Sequence, residues 1–150
     1  RIGVIIPRAR AGDRPLDGFT TLALAGGWRF QDGLGYEDGT VDAITVSHAL
    51  MYVPLEEWAD VFSEFQRALA PGGVIRISED DTANPLSDRF GGHHDATALT
   101  SPAIVRYHLE LAGFAVNEMA EDATCFDDGS LLQAWHGPPP KVFFVEGVKP

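Results

Sequence analysis

The chain has a single cysteine, Cys125, in 150 residues. That excludes an intrachain disulfide and any CxxC metal site, and the usage fits a reducing, cytoplasmic compartment. Basic residues are scarce too: 11 Lys+Arg against 22 Asp+Glu, a net charge of −11. Nonspecific attachment to nucleic acid or to an anionic membrane needs basic patches, so neither is expected as a partner. No apolar run approaches the roughly 18 residues of a membrane span, and no signal peptide is recognised. With no initiating Met, the chain is read as processed, trimmed or a fragment. What is present suits one soluble domain over residues 1–150, with 45% apolar residues. A domain of this size buries roughly 70% of its unfolded surface.

The most informative stretch is Asp38–Asp81, DGTVDAITVSHALMYVPLEEWADVFSEFQRALAPGGVIRISEDD. Val41–Val46 is short, apolar and β-branched, as a buried strand is. Pro54 precedes a helix expected over Glu56–Ala70, with Glu56 and Glu57 in the first turn where the dipole favours negative charge. Trp58, Phe62, Phe65 and Leu69 fall on one helical face and are expected to be buried against a sheet. Pro71-Gly72-Gly73 is read as the turn that stops the helix. Val74–Ser78 follows as a second strand, which completes a βαβ unit. On these features alone the unit could belong to any α/β fold.

The rest of the chain extends that pattern. Arg1–Ile6 and Gly18–Leu24 read as strands, joined by the polar, proline-containing loop Pro7–Asp17. That connection is short for a parallel crossover. The intervening helix is expected to be missing or reduced to a turn, leaving Val4, Ile6 or Phe19 partly uncovered. A second copy of the chain would cover them, so a homodimer is expected. Trp28–Asp32 is a candidate edge strand and Gly33–Gly39 a loop. Asp80–Thr100 is long and polar. Thr100 or Ser101 caps a helix with Pro102 in its first turn. Ile104, Val105, His108, Leu109, Leu111 and Ala112 form its apolar face, and Gly113 ends it. Phe114–Met119 and Val142–Val148 are the last strands, the latter antiparallel near the C-terminal edge of the sheet.

Asp38-Gly39-Thr40-Val41-Asp42-Ala43, Ser47-His48-Ala49-Leu50 and Arg67-Ala68-Leu69-Ala70-Pro71-Gly72-Gly73-Val74 resemble the second half of the class I S-adenosylmethionine-dependent methyltransferase family. Ala112-Gly113-Phe114 and Phe143–Lys149 are similar to its later helix–strand junction and closing antiparallel strand. The resemblance implies a three-layer, Rossmann-like α/β fold with a mainly parallel sheet and a reduced N-terminal helical layer. It implies S-adenosylmethionine as cofactor, held at the carboxyl ends of the strands. Carried over by position, the cofactor-binding residues are Ile5, Pro7, Asp32, Gly33, Ser47 and His48, with His48 the catalytic candidate.

Several positions depart from the family. Its glycine turn falls on Ile5 and Pro7, and residues 1–17 contain only Gly3 and Gly12. Its ribose-binding acid falls on Ala23. Where members often carry Glu and His, this chain has Met51 and Tyr52. A weakened cofactor site is therefore expected. His48 also has a purely structural reading, orienting its loop through a backbone hydrogen bond. Asp32, beside a glycine, is equally common in a plain turn. Cys125 and Trp58 read as structural, and Trp28 and Trp135 as core or interface.

Three readings follow. The first is a small S-adenosylmethionine-dependent methyltransferase acting on a small-molecule or protein substrate that the residues do not identify. The second is a non-catalytic methyltransferase-like binding or assembly module. The third is metal-dependent or acid–base chemistry at Glu79-Asp80-Asp81 with His93-His94-Asp95, whose spacing matches no metal motif. No metal is expected.

Overall fold

The computed structural model describes residues 2–6, 19–23, 33–81, 100–122 and 142–150. Its elements are β1 (Ile2–Ile6), β2 (Phe19–Ala23), β3 (Val41–Ser47), α1 (Trp58–Ala68), β4 (Leu69–Asp80), α2 (Pro102–Leu111), β5 (Ala115–Asp122) and β6 (Val142–Val148). Two short 3₁₀ turns, Leu50–Tyr52 and Leu55–Glu57, lead from β3 into α1. No helix among the described residues is long and apolar enough to cross a membrane.

The six strands form one sheet in the order β2-β1-β3-β4-β6-β5. β1 runs parallel to β2 and β3, and β3 parallel to β4. β6 is antiparallel to both β4 and β5, between which it lies. This is the α/β, Rossmann-like architecture expected, with its antiparallel C-terminal strand. The anticipated loss of a helix between the first two strands falls on residues 7–18, outside the described residues, as does the edge strand at Trp28–Asp32.

Register decides which side chains make the core. Ile44 pairs with Ile75 and Val46 with Ile77, while Ile77 also pairs with Val145. Paired residues share a face, so Ile44, Val46, Ile75, Ile77 and Val145 form one apolar surface, and all are buried. α1 and α2 cover it with Trp58, Val61, Phe62, Phe65, Val105 and Leu109. On the opposite face Thr45, Ser78 and Phe144 are half-buried, and Arg76 sets its exposed guanidinium 5.0 Å from the centre of the Phe144 ring.

Three boundaries differ from those read in the sequence. The helix expected over Glu56–Ala70 begins as a 3₁₀ turn and is α-helical only over Trp58–Ala68. Trp58, Phe62, Phe65 and Leu69 are all buried as expected, but Leu69 belongs to β4, with ψ 138°. Pro71-Gly72-Gly73 is likewise not a turn before the strand. Val41 pairs with Leu69 and Ala43 with Val74, so four residues of β4 bulge out opposite Asp42 alone. Gly72 takes φ +78°, and a Cβ on Gly73 would stand 2.8 Å from the Ala70 carbonyl oxygen. Lys149 closes the bulge, its ammonium donating to the carbonyls of Gln66 and Leu69 at 2.6 and 2.7 Å. A cation at these terminal carbonyls is where the helix dipole favours one.

The boundaries of α2 were legible. Ser101 is the N-cap, its hydroxyl accepting from the Ile104 N–H at 3.3 Å, with Pro102 in the first turn. Gly113, at φ +93°, ends it. The apolar face was drawn too wide, since Leu111 is 65% exposed. β5 starts at Ala115 and runs to Asp122, longer than Phe114–Met119, because it stays paired with β6 to that point.

Candidate functional site

The strand order contains one reversal that matters for binding. From β1 the chain steps outward to β2, then returns to β3 on the other side of β1. Connections after β1 and β3 therefore leave the sheet in opposite directions, which opens a crevice at the carboxyl ends of those two strands. Ile5 pairs with Val46, so the end of β1 lies beside Ser47 and His48. Ala23, the last residue of β2, pairs with Ile6 and borders the same end of the sheet.

The backbone turns sharply as it leaves β3. Among the described residues, His48 is the one non-glycine with positive φ, at +49°. This left-handed conformation is uncommon outside glycine, and when surrounding structure holds a residue there the position is a candidate functional one. Ser47 Oγ lies 3.0 Å from His48 Nδ1, with donor and acceptor set by the imidazole tautomer. The His48 N–H donates to the Ser78 carbonyl at 2.8 Å. The next two N–H groups, of Ala49 and Leu50, both donate to Glu79 Oε1, each at 2.8 Å. Glu79 is fully buried.

That grip corrects one expectation. Glu79 is not a loop carboxylate presented with Asp80 and Asp81 for a metal or a substrate. It alternates with Ile75 and Ile77 onto the buried face of β4, and its carboxylate is engaged by the turn after β3. Among the described residues no cluster of His, Cys, Asp and Glu could hold a metal ion. His93, His94 and Asp95 lie outside the described residues. Met51 is buried in the core.

The Gly33–Gly39 segment is anchored along α1. Gly33 has φ +70°, and the Leu34 N–H donates to Glu64 Oε1 at 2.9 Å. Arg67 donates to both Glu64 oxygens at 2.7 Å and also pairs with Asp38. The Gly39 N–H donates to the Arg67 carbonyl at 2.9 Å. The hydrogen bonds from Arg67 hold the Glu64 carboxyl below its ordinary range, the Leu34 N–H adding to them and partial burial opposing. Arg67 is pushed above its usual value by the same two carboxylates, Glu64 first.

The structure thus brings Ile5, Ser47 and His48 to neighbouring strand ends and ties the Gly33–Leu34 turn to α1. Pro7 and Asp32 lie outside the described residues. The functional group that sequence reading missed is Glu79 as a loop anchor. Its signal would have been the alternation Ile75-x-Ile77-x-Glu79, which carries an acid onto a buried face.

Residues 28–77 match the family model described as a methyltransferase domain, a segment that takes in β3, α1 and most of β4. No curated protein matches significantly in sequence. Among solved structures, a chain of the complex between the Haloferax volcanii Trm112 methyltransferase activator and a methyltransferase is 22% identical, with a TM-score of 0.62 over 91% of this chain and 64% of that one. An S-adenosylmethionine-dependent methyltransferase from Mesorhizobium loti is 17% identical, with a TM-score of 0.59 over 87% of this chain and 68% of that one. A Galdieria sulphuraria structure described as a sarcosine dimethylglycine methyltransferase is 15% identical, with a TM-score of 0.58 over 89% and 60%. The chain therefore spans less than two thirds of the Haloferax and Galdieria proteins. Likeness at these identities shows the fold, and it agrees with the matched segment: the chain belongs to the class I S-adenosylmethionine-dependent methyltransferase family.

Proposed function

We propose that this chain binds the S-adenosyl cofactor in the crevice between the carboxyl ends of β1 and β3, and is part of a methyltransferase whose cofactor site is weakened. The observation that carries this reading is the β2-β1-β3 reversal with the left-handed His48 turn at its mouth. When bound, the cofactor supplies an electrophilic methyl group. The protein's share is to bind and orient: Ile5 and Pro7 at the end of β1, Asp32 and Gly33 toward the adenine, Ser47 and His48 as the opposite wall. His48 is assigned the proton of the substrate nucleophile, with Ser47 Oγ at its Nδ1 to orient the ring.

The fit to the cofactor is partial. Polar groups are present at Ser47 and His48. Ile5 has a side chain where glycine would let the backbone approach the ligand, and Ala23, at the end of β2, has no carboxylate for a ribose hydroxyl. Each lost charge-assisted bond is worth about 1.5–3 kcal/mol. Two such losses weaken binding by about two to four powers of ten. The same departures favour the second reading, a non-catalytic methyltransferase-like binding or assembly module. A homodimer, or a protein partner of the kind seen with the Haloferax volcanii structure, belongs to either proposal, and the substrate stays open between a small molecule and a protein.

Titration calorimetry with S-adenosylhomocysteine, comparing the wild type with Asp32→Ala, tests the site. The expected result is weak binding by the wild type and weaker binding by the variant. Tight wild-type binding would overturn the weakened site. Equal binding by both would remove Asp32 from it, and no binding at millimolar ligand would leave the module reading.

A further inference from the structure

We propose that Glu79 is a positioning residue: it sets the left-handed turn at His48 and so presents the Ser47–His48 wall of the crevice. The role in the site rests on the cofactor reading above; the grip on the turn does not. The 3₁₀ turn Leu50–Tyr52 follows β3, and its N-cap, Ala49, has no side chain able to cap it. Glu79 supplies the cap from the neighbouring strand, accepting the Ala49 and Leu50 N–H groups on a single carboxylate oxygen.

Two consecutive N–H groups converge on one oxygen only if the backbone before them curls, and His48 at φ +49° provides that curl. Successive N–H groups in such a bend form a small anion-binding concavity. In many proteins that concavity receives a ligand; here the protein fills it with its own carboxylate. The two features depend on each other. A fully buried carboxylate would be strongly unfavourable without these donors. A histidine would relax from left-handed backbone without the charge-assisted bonds that reward it. His48 and Ser47 are held at the opposite end by the same strand, through the His48 N–H to the Ser78 carbonyl, one residue before Glu79.

The test uses the full chain, isotopically labelled, as wild type, Glu79→Gln and Glu79→Ala. Amide hydrogen exchange is followed at Ala49 and Leu50, with β3 and α1 amides as the reference for global stability. Each protein is also titrated with S-adenosylhomocysteine. Glu79→Gln keeps the size and an acceptor oxygen but loses the charge. It is expected to lower protection at Ala49 and Leu50 by about tenfold relative to the reference amides, and to weaken S-adenosylhomocysteine binding by a similar factor. Glu79→Ala is expected to do more of both.

Unchanged protection at Ala49 and Leu50 in both variants overturns the grip. Lost protection with unchanged ligand affinity overturns the positioning role. If the wild type binds no S-adenosylhomocysteine, the cofactor reading fails and the positioning of that site fails with it, while the exchange data still decide whether Glu79 sets the turn. If Glu79→Gln does not fold, the double variant His48→Gly/Glu79→Gln decides, because glycine takes left-handed backbone without strain. Restored folding supports the coupling, and continued unfolding overturns it.

Discussion

The His108 imidazole lies edge-on to the Trp58 ring, with ring centres 5.1 Å apart, and joins α2 to α1 within the core. It also meets Phe62 at 5.8 Å and Tyr107 at 5.3 Å. Nothing in that aromatic surround favours a positive ring, and burial pulls its pKa below the ordinary imidazole value. Trp58 is fixed in turn by its indole N–H, which donates to the Val53 carbonyl at 3.0 Å.

Stability should therefore fall as pH is lowered through the ordinary imidazole range. Unfolded His108 takes up a proton near pH 6.5, roughly the free value. The folded form resists until the pH reaches its own lower pKa. Between the two, the unfolded chain binds more protons, so stability rises with pH and is lost on acidification. Urea unfolding at steps from pH 7 downward should show this slope, and His108→Phe should flatten it. An unchanged slope in the variant would assign the effect to another group.

Phe65 is fully buried between α1 and the sheet. Phe65→Ala should lower stability by about 3–5 kcal/mol through lost transfer energy and the cavity left behind. Chemical denaturation gives the value directly. A loss under about 1 kcal/mol is what surface positions show, and it would mean that α1 packs by another face.

Gly73→Ala and Gly72→Ala should both destabilise, for different reasons. At Gly73 the added methyl meets the Ala70 carbonyl at 2.8 Å and Leu69 Cδ2 at 3.0 Å, in the bulge that joins α1 to β4. Overpacking of this kind costs about 1–3 kcal/mol. At Gly72 there is open space, but φ is +78°, and the left-handed penalty is about 1–2 kcal/mol. Thermal unfolding should rank Gly73→Ala as the less stable, and the reverse order would show that the bulge yields.

Glu64→Ala should release the Gly33–Leu34 turn from α1, because Glu64 is the carboxylate that receives the Leu34 N–H. The site is half-buried, so the global loss should stay within about 0.5–1.5 kcal/mol. The specific effect should be faster hydrogen exchange at the Leu34 amide. Since the Glu64 carboxyl is held below its usual range, its contribution is present above the unfolded carboxyl value and disappears as pH falls through the folded one. Protection at Leu34 that survives the substitution would show that another group holds the turn.

Sequence alone determined what depends on short-range chemistry. The β-branched run Val41–Val46, the Ser101-Pro102 start and Gly113 end of α2, and the burial of Trp58, Phe62 and Phe65 were all legible. Caps, glycine φ and apolar periodicity are properties of neighbouring residues. The departure of Ile5 and Ala23 from the family pattern was legible for the same reason, and the register sets both at strand ends, as that carry-over required.

Tertiary structure decided the rest. Leu69 has helical spacing from Phe65, yet pairing with Val41 draws it into β4, since a ladder hydrogen bond there satisfies backbone that another helical turn would leave without partners. Leu111 has the period of the α2 core face but extends past the elements that could cover it. Glu79 read as one acid among three at a strand end. Only the register of β4 against β3 brings it under the Ala49 and Leu50 N–H groups, and only those two bonds make a left-handed His48 tenable. Contacts about thirty residues apart in the chain leave no periodic trace in sequence, because their geometry exists only once the strands have paired.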